Sequence, residues 1–182
     1  MSLNKKIYFA SDFHLGAPNP QKSKERELRV IQWLDIISKD ASDIFLVGDV
    51  FDFWFEYKHA IPKGFSRLQG KIASLADSGI NVHYFIGNHD MWVFNYFEEE
   101  LGVKMYRDNT DFEFGGKKFL VGHGDGYGPG DYGYKFIKKV FANPISQWLV
   151  GWIHPNLGIG LANFWSGRSR SANSGSDEKF LG

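Results

Sequence analysis

Asp12 with His14, Gly48-Asp49, Gly87-Asn88-His89-Asp90 and Gly122-His123 each stand behind a short apolar run. Together they offer carboxylate and amide oxygen and imidazole nitrogen, and the chain has no cysteine to add sulfur. That donor mixture suits Mn²⁺, Fe or Zn²⁺ rather than a structural zinc site, and a carboxylate such as Asp49 can bridge two ions. Two divalent ions about 3.5 to 4 Å apart clamp a phosphate and generate hydroxide at neutral pH, which suits in-line hydrolysis of a phosphate ester. In the third set the adjacent amide and imidazole can face different targets, one a metal and the other a substrate, with Asp90 free to orient the His89 ring.

This chemistry needs four loops at one address. Residues 7–10 and 43–47 read as buried strands, and Val82, Tyr84, Phe85 and Ile86 mark a third, each ending at one of the sets. Residues 112–114 and 117–121 read as a hairpin turning at Gly115-Gly116, with His123 at its exit. Between strands, Ser23 is the candidate cap of a helix carrying Leu28, Ile31, Leu34 and Ile37. Leu68, Ile72 and Leu75 mark a second helix ended by Gly79. The third set reads as strand, sharp loop, helix, the helix carrying Phe94, Phe97 and Leu101 and closing at Gly102; residues 103–106 read as another strand. In such an α/β fold the C-terminal strand ends share one edge, so residues distant in sequence converge.

The 182 residues, 43% hydrophobic and 17% aromatic, suit one domain with a sizeable core. Zero formal net charge gives no support to a non-specific nucleic-acid binder. Residues 132–172 are uneven, with Lys135, Lys138, Lys139, Arg168 and Arg170 and no acidic residue, so this end favours anionic partners. Residues 134–165 are read as helical pieces broken by Pro144 and Pro155, carrying Trp148 and Trp152, and the Ser/Gly/Asn-rich end as disordered. The start of the chain shows no signal-peptide apolar region and no apolar run reaches the roughly 20 residues of a membrane span, so the expectation is a cytoplasmic protein.

The four sets, in this order, resemble the motif series of the calcineurin-like metallophosphoesterases. The resemblance implies a layered α/β sandwich, its sheets flanked by helices, that holds two divalent metal ions. Residue by residue it implies that Asp12 and His14 bind one metal, Asp49 bridges both, and Asn88 and His123 bind the second. His89 would protonate the leaving oxygen or stabilise the transition-state phosphate, with Asp90 holding its ring. A last family motif, Gly-His-x-His, is not in this sequence; His154 precedes Pro155 and is read as a surface or lid histidine. The expectation is a chain lacking the family's C-terminal strands, with weaker metal binding and low activity.

Asp12-Phe13-His14-Leu15-Gly16, residues 48–54 and residues 135–170 are similar, more narrowly, to the bacterial UDP-2,3-diacylglucosamine hydrolases of lipid A synthesis. Those enzymes use Mn²⁺ to cleave a pyrophosphate into UMP and a lipid-linked sugar phosphate at the cytoplasmic face of the inner membrane; some carry Arg where this chain has His89. The resemblance implies a core over residues 1–131, a helical lid over 132–166 and a tail over 167–182. It also implies a nucleotide-linked glycolipid substrate and a peripheral position on an anionic membrane surface. Two rivals stand beside it, a soluble metallophosphodiesterase acting on a nucleotide or small diester and a non-catalytic scaffold that binds proteins. Asp52 and Asp125 are kept out of the metal set, as hydrogen-bond acceptors behind the ligands or as turn residues bonding local backbone; the aromatic residues 51–57 are read as core, and His83 as structural.

Overall fold

The computed structural model describes residues 5–125, 132–158 and 160. The expected contributions of Arg168, Arg170 and the polar tail lie outside these residues. Strands β1 (Lys6–Ala10), β2 (Ala41–Val47), β3 (Asn81–Phe85) and β4 (Lys104–Tyr106) form one parallel sheet in that order. Side-chain alternation along its two central strands divides the molecule into layers. Ile44, Leu46, Val82 and Tyr84 face one side, whereas Phe45 and Phe85 face the other.

Helices α1 (Pro20–Ile37), α2 (Ser66–Asp77) and α3 (Tyr96–Leu101) close the first side. They bring Val30, Leu34, Ile37, Leu68, Ile72, Leu75 and Phe97 into the same core, where each fully buried aliphatic or phenyl side chain contributes about 1.5–3 kcal/mol. The expected core stretch is there too, with Phe51, Trp54 and Phe55 buried. On the second side lies the antiparallel hairpin of β5 (Thr110–Phe114) and β6 (Lys117–Val121). It packs Phe112 and Phe114 edge-on to Phe45 at ring-centroid distances of 5.0 and 5.7 Å. Gly115 and Gly116 make its turn at φ 57° and 74°, left-handed values that glycine adopts without strain.

Three local expectations are corrected. The cap of α1 is Asn19, whose side chain accepts from the Lys22 amide ahead of Pro20 at the first turn; Ser23 sits inside the helix and its Oγ accepts from the Gly16 amide. Leu28 is exposed while Glu27 is buried, because one Glu27 oxygen accepts from the Leu68 amide and the other pairs with Lys24. The chain after Asp90 does not turn straight into a helix. Glu56 reaches across to accept from the amides of Phe94, Asn95 and Tyr96, holding an irregular segment until α3 begins.

Helices α4 (Tyr132–Ala142) and α5 (Pro144–Gly151) follow. Pro144 both ends one and opens the other, with the Asn143 side chain accepting from the Ile145 amide. Trp92 anchors α4, donating from Nε1 to the Phe141 carbonyl at 2.9 Å. Among the described residues no helix is long and apolar enough to cross a membrane.

Candidate metal centre

The loops after β1, β2 and β3 deliver Asp12 and His14, Asp49, and Asn88 and His89 to one edge of the parallel sheet. His123 arrives from β6 of the hairpin, so the centre spans two layers. Its Nδ1 lies 2.9 Å from the Val47 carbonyl, and its Nε2 lies 3.2 Å from Asn88 Oδ1 and 3.4 Å from Asp49 Oδ2. His14 Nε2 stands 3.8 Å from Asp12 Oδ1 and 3.8 Å from Asp49 Oδ2. Ligand atoms of His14, Asp49 and His89, and separately of Asp12, Asp49 and His123, all fall within 4.8 Å of one another. Asp49 is the member common to both trios.

Backbone contacts force this convergence. The amides of Asp12, His14 and Leu15 donate to the carbonyls of Gly48, Asp49 and Val50, zipping the first two loops together. Asp12, His14 and Asp49 adopt φ of 58°, 44° and 53°, and among the described non-glycine residues only Phe65 shares this left-handed region. Each such residue costs about 1–2 kcal/mol, strain that marks functional loops. Arg26 steadies the first loop from α1, donating to the carbonyls of Phe13, His14 and Ala17. The glycines of the motifs permit close approach. A Cβ on Gly48 would lie 2.5 Å from His123 Nδ1, and one on Gly87 only 2.2 Å from Asp49 Oδ1.

The expected role of Asp90 as holder of the His89 ring is corrected. His89 Nδ1 lies 3.0 Å from the backbone carbonyl of Asp52 and 3.8 Å from the Asp52 carboxylate, a residue left out of the expected site. Asp90 is fully buried and faces away, accepting from the amides of Gly87 at 2.7 Å and Val50 at 2.9 Å and from the Tyr84 hydroxyl at 2.6 Å. The sequence signal for it was a phenol inside the apolar strand that leads into the motif. Asp125 forms an ion pair with Lys138 of α4, and His83 is held in the sheet by Asp43 and Tyr106. His154 is exposed, as expected.

The electrostatics concentrate on Asp49. Burial by itself would raise its carboxyl, but the His123 ring and the His89 amide outweigh that and hold it below its ordinary value. Burial pushes Asp90 up, against the opposing hydrogen bonds of Tyr84 and Gly87. The donor set, oxygen-rich with imidazole and no thiolate, fits hard-to-intermediate divalent ions. A cleft of about 450 Å³ opens beside it, lined by Gly87, Met91, Arg107, His123 and Lys138 among others.

Carboxylate, amide and imidazole donors gathered around one shared aspartate at a sheet edge define a metal-dependent phosphoesterase. Residues 5–174 match the family model of calcineurin-like phosphoesterases, and the chain belongs to that family. It is 39% identical over 181 residues to the UDP-2,3-diacylglucosamine hydrolase of Porphyromonas gingivalis (strain ATCC BAA-308 / W83), an alignment covering 99% of this chain and 68% of that protein. It is 28% identical over 173 residues to the UDP-2,3-diacylglucosamine hydrolase of Yersinia pestis bv. Antiqua (strain Angola), covering 95% of this chain and 70% of that one.

Proposed function

We propose that this metal-dependent hydrolase cleaves the pyrophosphate of UDP-2,3-diacylglucosamine to UMP and a lipid-linked sugar phosphate. The observation that carries the reading is the placing of Asp12, His14, Asn88 and His123 around Asp49, in a chain whose named relatives are hydrolases of that substrate. Asp12 and His14 would hold one divalent ion, Asn88 and His123 a second, and Asp49 both. Mn²⁺ is our choice of ion. Bound there, the ions supply Lewis-acid charge to the phosphoryl oxygens and lower the pKa of water. His89, its Nδ1 at the Asp52 carbonyl, offers its other ring nitrogen to the substrate, where it donates a proton to the leaving oxygen or a hydrogen bond to the developing phosphoryl charge.

Residues 132–166 act in this reading as a lid on the core formed by residues 1–131. On α5 and just beyond, Ile145, Trp148, Leu149, Trp152 and Leu157 are each at least 55% exposed, an apolar face suited to acyl chains at the cytoplasmic surface of a membrane. The test is Mn²⁺-dependent release of UMP from UDP-2,3-diacylglucosamine, set against hydrolysis of a soluble phosphodiester. UMP release that is lost with a chelator supports the reading. Turnover of the soluble diester alone supports a general phosphodiesterase, and no turnover of either with intact metal binding supports a scaffold.

A further inference from the structure

The Asp90 carboxylate reaches both halves of the centre. Its Oδ2 accepts from the amide of Val50, the residue after Asp49, and its Oδ1 from the amide of Gly87, the residue before Asn88. The Phe51 amide is a longer third donor, to Oδ2 at 3.5 Å, and the fourth is the hydroxyl of Tyr84 on β3, itself fully buried. The Tyr84 ring already packs against Phe97 at a centroid distance of 5.0 Å, so a phenylalanine would serve the core equally well. What the hydroxyl adds is the shortest of these bonds, 2.6 Å, and the one side-chain anchor among them, to a carboxylate that has no access to water. Between the two loops there is no slack, because Gly87 lies against the Asp49 backbone and carboxylate and the His89 amide donates to Asp49 Oδ1 at 2.9 Å. Asp90 is bonded to one amide of each loop, so a shift of its carboxylate would pull Val50 and Gly87 with it and disturb the close contact of Asp49 with Gly87 and His89.

We propose that Tyr84 is a positioning residue: acting through Asp90, it sets the spacing of the Asp49 loop against the Asn88-His89 loop before any ion binds. The inference rests on reading these loops as a metal centre. Groups that orient metal ligands from behind commonly affect affinity or turnover by about 10- to 100-fold when removed.

The experiment compares the wild-type chain with Tyr84→Phe by Mn²⁺ titration calorimetry, steady-state kinetics on UDP-2,3-diacylglucosamine, and amide exchange followed by NMR. In Tyr84→Phe the expected result is Mn²⁺ binding weakened by about 10-fold or more, with kcat lowered and KM nearly unchanged. Exchange at Val50 and Gly87 should be faster in the variant. In the metal-free wild-type chain both amides should already be protected, which tests without any variant whether the spacing is set before an ion binds. Unchanged Mn²⁺ affinity in a folded variant, or free exchange of these amides in the metal-free wild type, overturns the role of Tyr84. No Mn²⁺ binding by the wild type overturns the metal reading, and the inference with it.

Discussion

Asp49 and His123 meet with Oδ2 and Nε2 3.4 Å apart, while the far nitrogen of the ring rests 2.9 Å from the Val47 carbonyl. Burial alone would lower the His123 pKa, but Asp49, the Val47 carbonyl and Asp12 outweigh it and raise the ring to about 9. A raised folded-state pKa stabilises the fold fully below the unfolded value of about 6.5, and that contribution is lost as pH rises through the folded value. The metal-free chain should therefore melt at progressively lower temperature from near neutrality to about pH 9, a slope that His123→Ala should flatten. Because an imidazolium cannot ligate, Mn²⁺ binding should release a proton and tighten as pH rises over the same window. Calorimetry in buffers of different ionisation enthalpy measures that release.

Gly87→Ala is expected to damage the centre without replacing a ligand. The new Cβ would sit 2.2 Å from Asp49 Oδ1 and 2.4 Å from the Asp49 amide nitrogen, so backbone has to move. Overpacking of this kind costs about 1–3 kcal/mol. Gly79→Ala, at φ 86° but with open space around the Cβ, is the control: it strains the backbone and leaves the site alone. Thermal melts should show both variants destabilised, with Mn²⁺ affinity lost only in Gly87→Ala.

His89→Ala separates two roles for one residue. The contact of His89 with Asp49 runs through its backbone amide, which alanine keeps. If the ring serves the substrate, kcat should fall by roughly 100- to 10,000-fold with two Mn²⁺ still bound. A ring nitrogen of His89 also lies within 4.8 Å of ligand atoms of His14 and Asp49, so a lost ion in the variant would make it a ligand instead. Metal analysis of the purified variant beside its kinetics distinguishes these outcomes.

Trp148 and Trp152, 61% and 76% exposed, should shift their emission to shorter wavelength when anionic lipid vesicles are added. Trp54, with no exposed surface, and Trp92, at 9%, supply a constant background. The shift should disappear in the Trp148→Phe, Trp152→Phe double variant. Its persistence there would place lipid contact elsewhere, and its absence in the wild type would leave α5 a packing element.

Much of the framework was legible because periodicity and turn chemistry are local. Apolar runs ending at Asp12, Asp49 and Asn88 located three strands, and two consecutive glycines located the hairpin turn. Errors arose where a distant group overrode a local preference. Glu27 is buried because the Leu68 amide needs an acceptor, and residues 91–95 stay irregular where Glu56 binds the amides of Phe94, Asn95 and Tyr96. Neither partner lies near the segment it controls.

Donor types, their order and their positions behind apolar runs can be read from the residues alone, and with them the class of chemistry, because ligand character belongs to each side chain whatever surrounds it. Which groups face one another depends on how the layers pack. The hairpin folds across the sheet to bring His123 against Asp49, His89 is held through the Asp52 carbonyl, and Asp90 turns inward to Tyr84 and the loop amides. Those choices depend on pairing buried carboxylates, amides and ring nitrogens across several loops at once, a constraint that spans the core and is written in no single motif.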